Sequence, residues 1–176
     1  MISLSQFLNQ KTVVVFFYPK ADTPGCTKEA CKFRDEYEKF VDAGAEVSRR
    51  LSVRNDIMGL LVPDVRFPRH SPTPPIPPSS PLPPPQVIGI SGDGVPAQNA
   101  FATKHRLPFT IAADEGDYLR KGFGVPAALF GVLPGRQTFV IDKNGKCVLS
   151  FNSATDFEGH VTKALEKVKA LNNVLA

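Results

Sequence analysis

The chain has 176 residues, of which 42% are hydrophobic and 22% charged, a composition that fits a folded domain and excludes a low-complexity or membrane-embedded protein. Its 21 Lys and Arg against 17 Asp and Glu leave a net charge of +4 with no basic block or basic helix, which gives no case for nucleic acid as a partner. No apolar run reaches membrane-spanning length, the start Met1-Ile2-Ser3-Leu4-Ser5 reads as neither a signal nor a transit peptide, and three cysteines, an odd number, fit a reducing intracellular compartment better than a secreted disulfide framework.

In chain order, the unbroken apolar run Val13-Val14-Val15-Phe16-Phe17-Tyr18 predicts a central strand over 12–18, buried on both faces. A turn-forming cluster, Pro19-Lys20-Ala21-Asp22-Thr23-Pro24-Gly25, separates it from a helix over 26–41 whose apolar stripe is Cys26, Ala30, Phe33, Tyr37 and Phe40. Further on, the pattern predicts strand 87–91, helix 96–105, strand 109–112, a short helix 117–122, a loop 124–136, strand 137–141, the turn Asp142-Lys143-Asn144-Gly145 and strand 146–151. A closing helix over 156–171 carries a capping box, Thr155-x-x-Glu158, and a stripe of Phe157, Val161, Ala164, Leu165, Val168 and Leu171. Alternating strands and helices followed by a terminal hairpin and helix make this an α/β sandwich of the thioredoxin type, a central mixed sheet flanked by helices.

The order of elements puts Cys26 where a strand gives way to a helix N-terminus. Free N–H groups and the positive end of the helix dipole stabilise an anion there, so a cysteine at this position is expected to ionise more readily than a free one. A cysteine that works as a nucleophile needs to be ionised, with a hydrogen-bond donor and a fixed positive charge beside it. Taken alone, a cysteine is more often a small buried hydrophobe than a nucleophile. Cys147 has no neighbouring base or partner motif and reads as structural. His70, His105 and His160 stand at no metal-ligand spacing, and three cysteines without a Cys-x-x-Cys pair argue against zinc.

The motif Pro19-x-x-x-Thr23-x-x-Cys26 resembles the active-site signature of the peroxiredoxins, and Cys31 points to the peroxiredoxin Q, or bacterioferritin comigratory protein, subfamily. The segments Val87-Ile88-Gly89-Ile90-Ser91-Gly92-Asp93, Leu107-Pro108-Phe109-Thr110, Asp114-Glu115-Gly116 and Gly124-Val125-Pro126 are similar to family segments in family order, as is the run from Leu129 to Asp142. The resemblance implies a thioredoxin-like peroxiredoxin fold and a thiol-dependent peroxidase acting on hydrogen peroxide and alkyl hydroperoxides. It implies Cys26 as the peroxidatic cysteine, Thr23 as the hydroxyl that bonds thiolate and peroxide, Arg136 as the cation holding the thiolate, and Cys31 as the resolving cysteine. Pro19 and Gly25 would line the substrate site. The Cys26–Cys31 disulfide would be reduced by thioredoxin or a similar dithiol protein, with no metal, haem or flavin, in a monomer. Similarity to plant, algal and cyanobacterial members over Leu129–Asp142 implies a plastid for a plant or algal source, with the transit peptide missing from this chain. A redox-sensing interaction module without turnover is the alternative.

Two departures from the family stand out. The N-terminal β-hairpin is missing, so the chain reads as truncated at the front. Between Glu46 and Val87, where the family has no gap, residues 47–86 intervene, and 11 of the 17 prolines fall between Pro63 and Pro85. Removing these 40 residues restores Gly44-Ala45-Glu46-Val87-Ile88-Gly89-Ile90-Ser91. Val47-Ser48 can be encoded by a splice-donor sequence, Gln86 by an acceptor end, and the Pro, Ser and Leu codons before it by a polypyrimidine tract. The domain is therefore expected to comprise 1–46 and 87–176, with 47–86 a translated intron that lacks a core of its own, or else a polyproline-II interaction segment.

Overall fold

A computed structural model describes residues 7, 10–43, 86–128 and 131–173. The elements are β1 (Val13–Phe17), α1 (Pro24–Asp35), α2 (Tyr37–Asp42), β2 (Gln86–Ser91), α3 (Val95–Lys104), β3 (Thr110–Ala113), α4 (Tyr118–Gly122), β4 (Gln137–Ile141), β5 (Cys147–Asn152) and α5 (Phe157–Asn173). One five-stranded sheet has the order β3-β2-β1-β4-β5. β1, β2 and β3 run parallel, whereas β4 and β5 are antiparallel to their neighbours.

The continuous apolar run makes β1 the central strand. All five of its residues are buried, and alternate side chains feed opposite faces of the sheet. Val14 and Phe16 join Phe33, Phe40, Val140 and Val161 on the face covered by α1, α2 and α5, while Val13, Val15 and Phe17 join Ile88, Ile90, Leu119 and Phe139 on the other. Phe16 stacks on Phe33 with ring centroids 4.4 Å apart, fixing α1 against the sheet directly after the strand that leads into it.

Two expectations need correction. The helix predicted over 26–41 is two helices. The backbone at Glu36 (φ −92°, ψ 2°) ends α1, and its carboxylate pairs with Lys32 at 3.2 Å and Lys39 at 2.5 Å. The apolar stripe conceals this break because Phe33, Tyr37 and Phe40 stay in one cluster across it. At the other end of the chain, the capping box at Thr155 and Glu158 does not form. Asp156 caps α5 instead, accepting from the Gly159 N–H at 2.8 Å, while its own N–H donates to Ser153 Oγ at 3.0 Å. Glu158 points to Lys28 at 3.7 Å.

Of residues 47–86, only Gln86 lies among the described residues. It is the first residue of β2, in register with Val13. Because β1 and β2 are parallel, that end of the sheet is opposite the end at which β1 leads into α1. Among the described residues no helix is long and apolar enough to cross a membrane.

Candidate active site

α1 begins at Pro24, two residues before the predicted start. Proline at the first helical position gives up no hydrogen bond and has the helical φ already set. The first bond of the turn runs from Thr27 N to Thr23 O at 2.8 Å, which leaves the Gly25 and Cys26 N–H groups without an acceptor inside the helix. Cys26 is 2% exposed, so its sulfur sits at the positive end of α1 and away from bulk water.

Arg136, just ahead of β4, supplies a second positive charge. Its Nη2 is 3.3 Å from Cys26 Sγ, and its Nη1 donates to the Glu29 carboxylate one turn along α1. The guanidinium lies over the Phe157 ring, 4.8 Å from Cζ to the centroid. Gly25 makes that stacking possible. A Cβ at this position would lie 2.8 Å from the Phe157 ring and 3.5 Å from Arg136 Nη2, so any side chain here would push the arginine and its platform off the helix.

A second buried arginine positions the first. Arg120 in α4 donates from Nη1 to the Gly135 carbonyl at 2.5 Å and from Nη2 to the Tyr18 carbonyl at 2.8 Å. It thereby ties the residue before Arg136 to the residue before Pro19. Asp114 fixes the start of α4 by accepting from the Leu119 and Arg120 N–H groups, each at 2.9 Å. Pro19 itself is half-buried in the bend directly after β1.

Behind Cys26 the cluster extends into the core. Glu29 is fully buried, and burial pushes its carboxyl up to about 8 against the opposing pull of Arg136. Its Oε1 lacks a hydrogen-bond partner and lies 3.6 Å from His160 Nδ1. His160 Nε2 donates to the Ser153 carbonyl at 2.9 Å, so in the neutral ring Nδ1 accepts from the Thr138 hydroxyl at 2.8 Å. Burial lowers the affinity of this ring for a second proton.

The sequence-predicted residues thus divide. Cys26, Gly25 and Arg136 come together. Thr23 stands at the N-cap position of the same helix without a side-chain cap bond, and its hydroxyl donates to the Lys20 carbonyl at 3.0 Å rather than to the sulfur. Cys31 lies in α1 as well, half-buried, with His105 rather than Cys26 as its neighbour. Cys147 is exposed at the start of edge strand β5. Glu29, Phe157, His160 and Arg120 carried no motif in the sequence. Phe157 is legible there only as part of an apolar stripe, and the others only as unremarkable charged residues whose burial could not be read.

A sequence model of the AhpC/TSA family matches residues 1–49 and 85–150. The chloroplastic peroxiredoxin Q of Populus jackii is 43% identical over 170 residues, covering 97% of this chain and 61% of that protein. That of Sedum lineare is 42% identical over 170 residues, covering 97% and 69%. Among solved structures, peroxidoxin BcpB of Mycobacterium tuberculosis aligns over 96% of this chain and 84% of its own, with a TM-score of 0.66 and 30% identity. The bacterioferritin comigratory protein of Xanthomonas campestris aligns with a TM-score of 0.66 at 22% identity, a likeness of fold. The chain spans 61%, 69% and 57% of the length of three curated relatives.

Proposed function

The chain belongs to the AhpC/TSA family, in its peroxiredoxin Q branch, and from this we propose that it is a thiol peroxidase that reduces hydrogen peroxide and alkyl hydroperoxides through Cys26. The observation that carries the reading is the 3.3 Å contact between Arg136 Nη2 and Cys26 Sγ at the start of α1. Two sources of positive potential, the helix start and a buried guanidinium, face the sulfur, and the thiolate is the form that attacks the O–O bond. The Cys26 sulfur takes the terminal oxygen and becomes a sulfenic acid, and the other oxygen leaves as water or alcohol. Arg136 and the Gly25 and Cys26 N–H groups are placed to stabilise charge developing on the oxygens. Thr23 is the fourth donor in this reading, provided its hydroxyl turns from Lys20 towards the bound peroxide.

Cys31 is the resolving cysteine in this reading. Both sulfurs lie on α1, where five residues of helix separate them by roughly 7.5 Å along the axis and about 140° around it. A disulfide needs Cα atoms within about 7 Å and converging side chains, so α1 opens locally before the bond closes. A thioredoxin-type dithiol protein then reduces the bridge, and the working unit is a monomer. The relatives named chloroplastic support a plastid location if the source is a plant or alga.

Steady-state peroxide consumption with thioredoxin and its reductase tests the reading. Sustained turnover is expected, with a Cys26–Cys31 bridge within one chain in the oxidised protein. A single stoichiometric oxidation with no turnover would make the protein a redox sensor instead.

A further inference from the structure

Cys31 faces the C-terminal end of α3. His105 Nδ1 lies 3.9 Å from its Sγ, and the ring's other nitrogen, Nε2, lies 2.9 Å from Asp22 Oδ1. A carboxylate can only accept, so Nε2 carries a proton, and in the neutral ring Nδ1 presents a lone pair to the thiol. Asp22 is held in turn by Lys104 Nζ at 2.8 Å, and the ammonium first and the ring second keep its carboxyl below the usual carboxylate range. Arg34, in the last turn of α1, donates from Nη1 to the His105 carbonyl at 2.8 Å, and Asp35 first and Cys31 after it hold the guanidinium in its charged form. The Phe101 ring packs edge-on against His105 at 5.0 Å. The charged and titratable groups around the imidazole are therefore Asp22 from the turn before α1, Lys104 from α3, and Cys31 and Arg34 from α1.

We propose that His105, oriented by Asp22, is the general base that draws the proton from Cys31 for the resolving step. The proposal rests on the reading of Cys31 as the resolving cysteine. In that step the Cys31 thiolate donates an electron pair to the Cys26 sulfur, and the S–S bond forms. The S–O bond of the sulfenic acid breaks with its pair on oxygen, and the hydroxide leaves as water with a proton equivalent to the one His105 took. One thiol and one sulfenic acid become one disulfide and one water, and no outside oxidant or reductant is needed. Asp22 is the positioning residue. It sits at φ 60°, a left-handed conformation that Asp and Asn adopt more readily than most residues, in the same turn that carries Thr23.

The test is a single-turnover rapid quench of the reduced full-length chain with one equivalent of hydrogen peroxide. Sulfenic acid and disulfide are counted by mass spectrometry across the pH range in which the protein stays folded. His105→Gln keeps a donor for Asp22 but has no basic nitrogen, and it should slow disulfide formation by about 10²-fold while the oxidation of Cys26 stays within about twofold. Asp22→Asn keeps the backbone conformation and an acceptor but removes the carboxylate that holds Nε2. It should slow disulfide formation by about 10-fold and change its pH profile, while leaving the rate and pH profile of Cys26 oxidation in place. A His105→Gln variant that forms disulfide at the wild-type rate with the wild-type pH profile overturns the proposal, as do variants that slow both steps alike. Cys31→Ser, run alongside, separates the two levels. If it forms no disulfide, the resolving role stands whatever His105 does, and if it still turns over with thioredoxin, the resolving role and the proposal fall together.

Discussion

Arg136 reaches Cys26 and Glu29 with different nitrogens of one guanidinium, Nη2 to the sulfur at 3.3 Å and Nη1 to the carboxylate. One buried cation thus serves two groups that can both become anions, and what each gains depends on the charge of the other. The planar fork is what spans them, and an ammonium on a flexible stem cannot reach both at once. Arg136→Lys is expected to lower the second-order rate constant for peroxide by about 10²-fold, the scale of a lost donor to developing negative charge. Stopped-flow measurement on the reduced protein checks this, and a rate within a factor of about three of wild type would remove Arg136 from the chemistry.

Glu29 sets a pH dependence of known sign. Its carboxyl is raised from 4.5 to about 8 in the folded protein, chiefly by burial. Between those values the folded chain binds more protons than the unfolded one, so stability falls as pH rises through the window. Glu29→Gln keeps an acceptor for Arg136 and cannot ionise. Across that window the wild type should lose about 1 kcal/mol or more relative to the variant, since one pKa unit is worth about that much. Denaturant melts of both proteins at the two ends of the window decide it, and parallel stability profiles would contradict the assignment.

The Thr23 hydroxyl donates to Lys20 O, a bond within the turn. If peroxide recruits that hydroxyl, Thr23→Val costs a transition-state donor and about 10- to 10²-fold in rate. An unchanged rate with a lowered melting temperature would assign the hydroxyl to the turn alone.

Much of this was legible from the chain, and the reasons for success and failure are physical. The five buried residues of β1 announce themselves as an unbroken apolar run, and the Pro-rich turn after it places Cys26 at a helix start within two residues. Cys26 and Arg136 were legible through the resemblance of the segments around them to the peroxiredoxins, since composition and periodicity alone single out neither. What failed was local competition. Glu36 breaks the helix without breaking its apolar stripe, and Asp156 takes the cap that the Thr155-x-x-Glu158 pattern predicts for Thr155. Glu29 and His160 were missed because a charged or titratable residue reads as exposed unless its partners are known, and theirs come from β4, the loop ahead of it and the segment after β5. His105 was discounted as a metal ligand, yet its neighbours Asp22 and Cys31 are brought to it by the crossing of α1 and α3.

Residues 47–86 enter the fold where β2 begins, and Gln86 pairs with Val13 at the end of β1 remote from Cys26. The family match falls in two blocks on either side of most of this segment. Deleting 47–86 is expected to leave the peroxide rate constant within about threefold and to raise the melting temperature, since each doubling of a loop's length costs about 0.6 kcal/mol in closure entropy. Loss of activity in a deletion variant that remains folded would place the proline-rich segment in the working site.

Reaction of Cys26→Ser with hydrogen peroxide under single-turnover conditions tests the central claim most directly. The serine hydroxyl is not ionised near neutrality, and the positive charge of Arg136 does not make it so. The account predicts that peroxide consumption falls to the background of a thiol-blocked sample while Cys31 and Cys147 remain reduced. Consumption at even about a tenth of the wild-type rate constant, about 1.4 kcal/mol in the barrier, would mean that another group attacks the peroxide and that Cys26 is not the nucleophile.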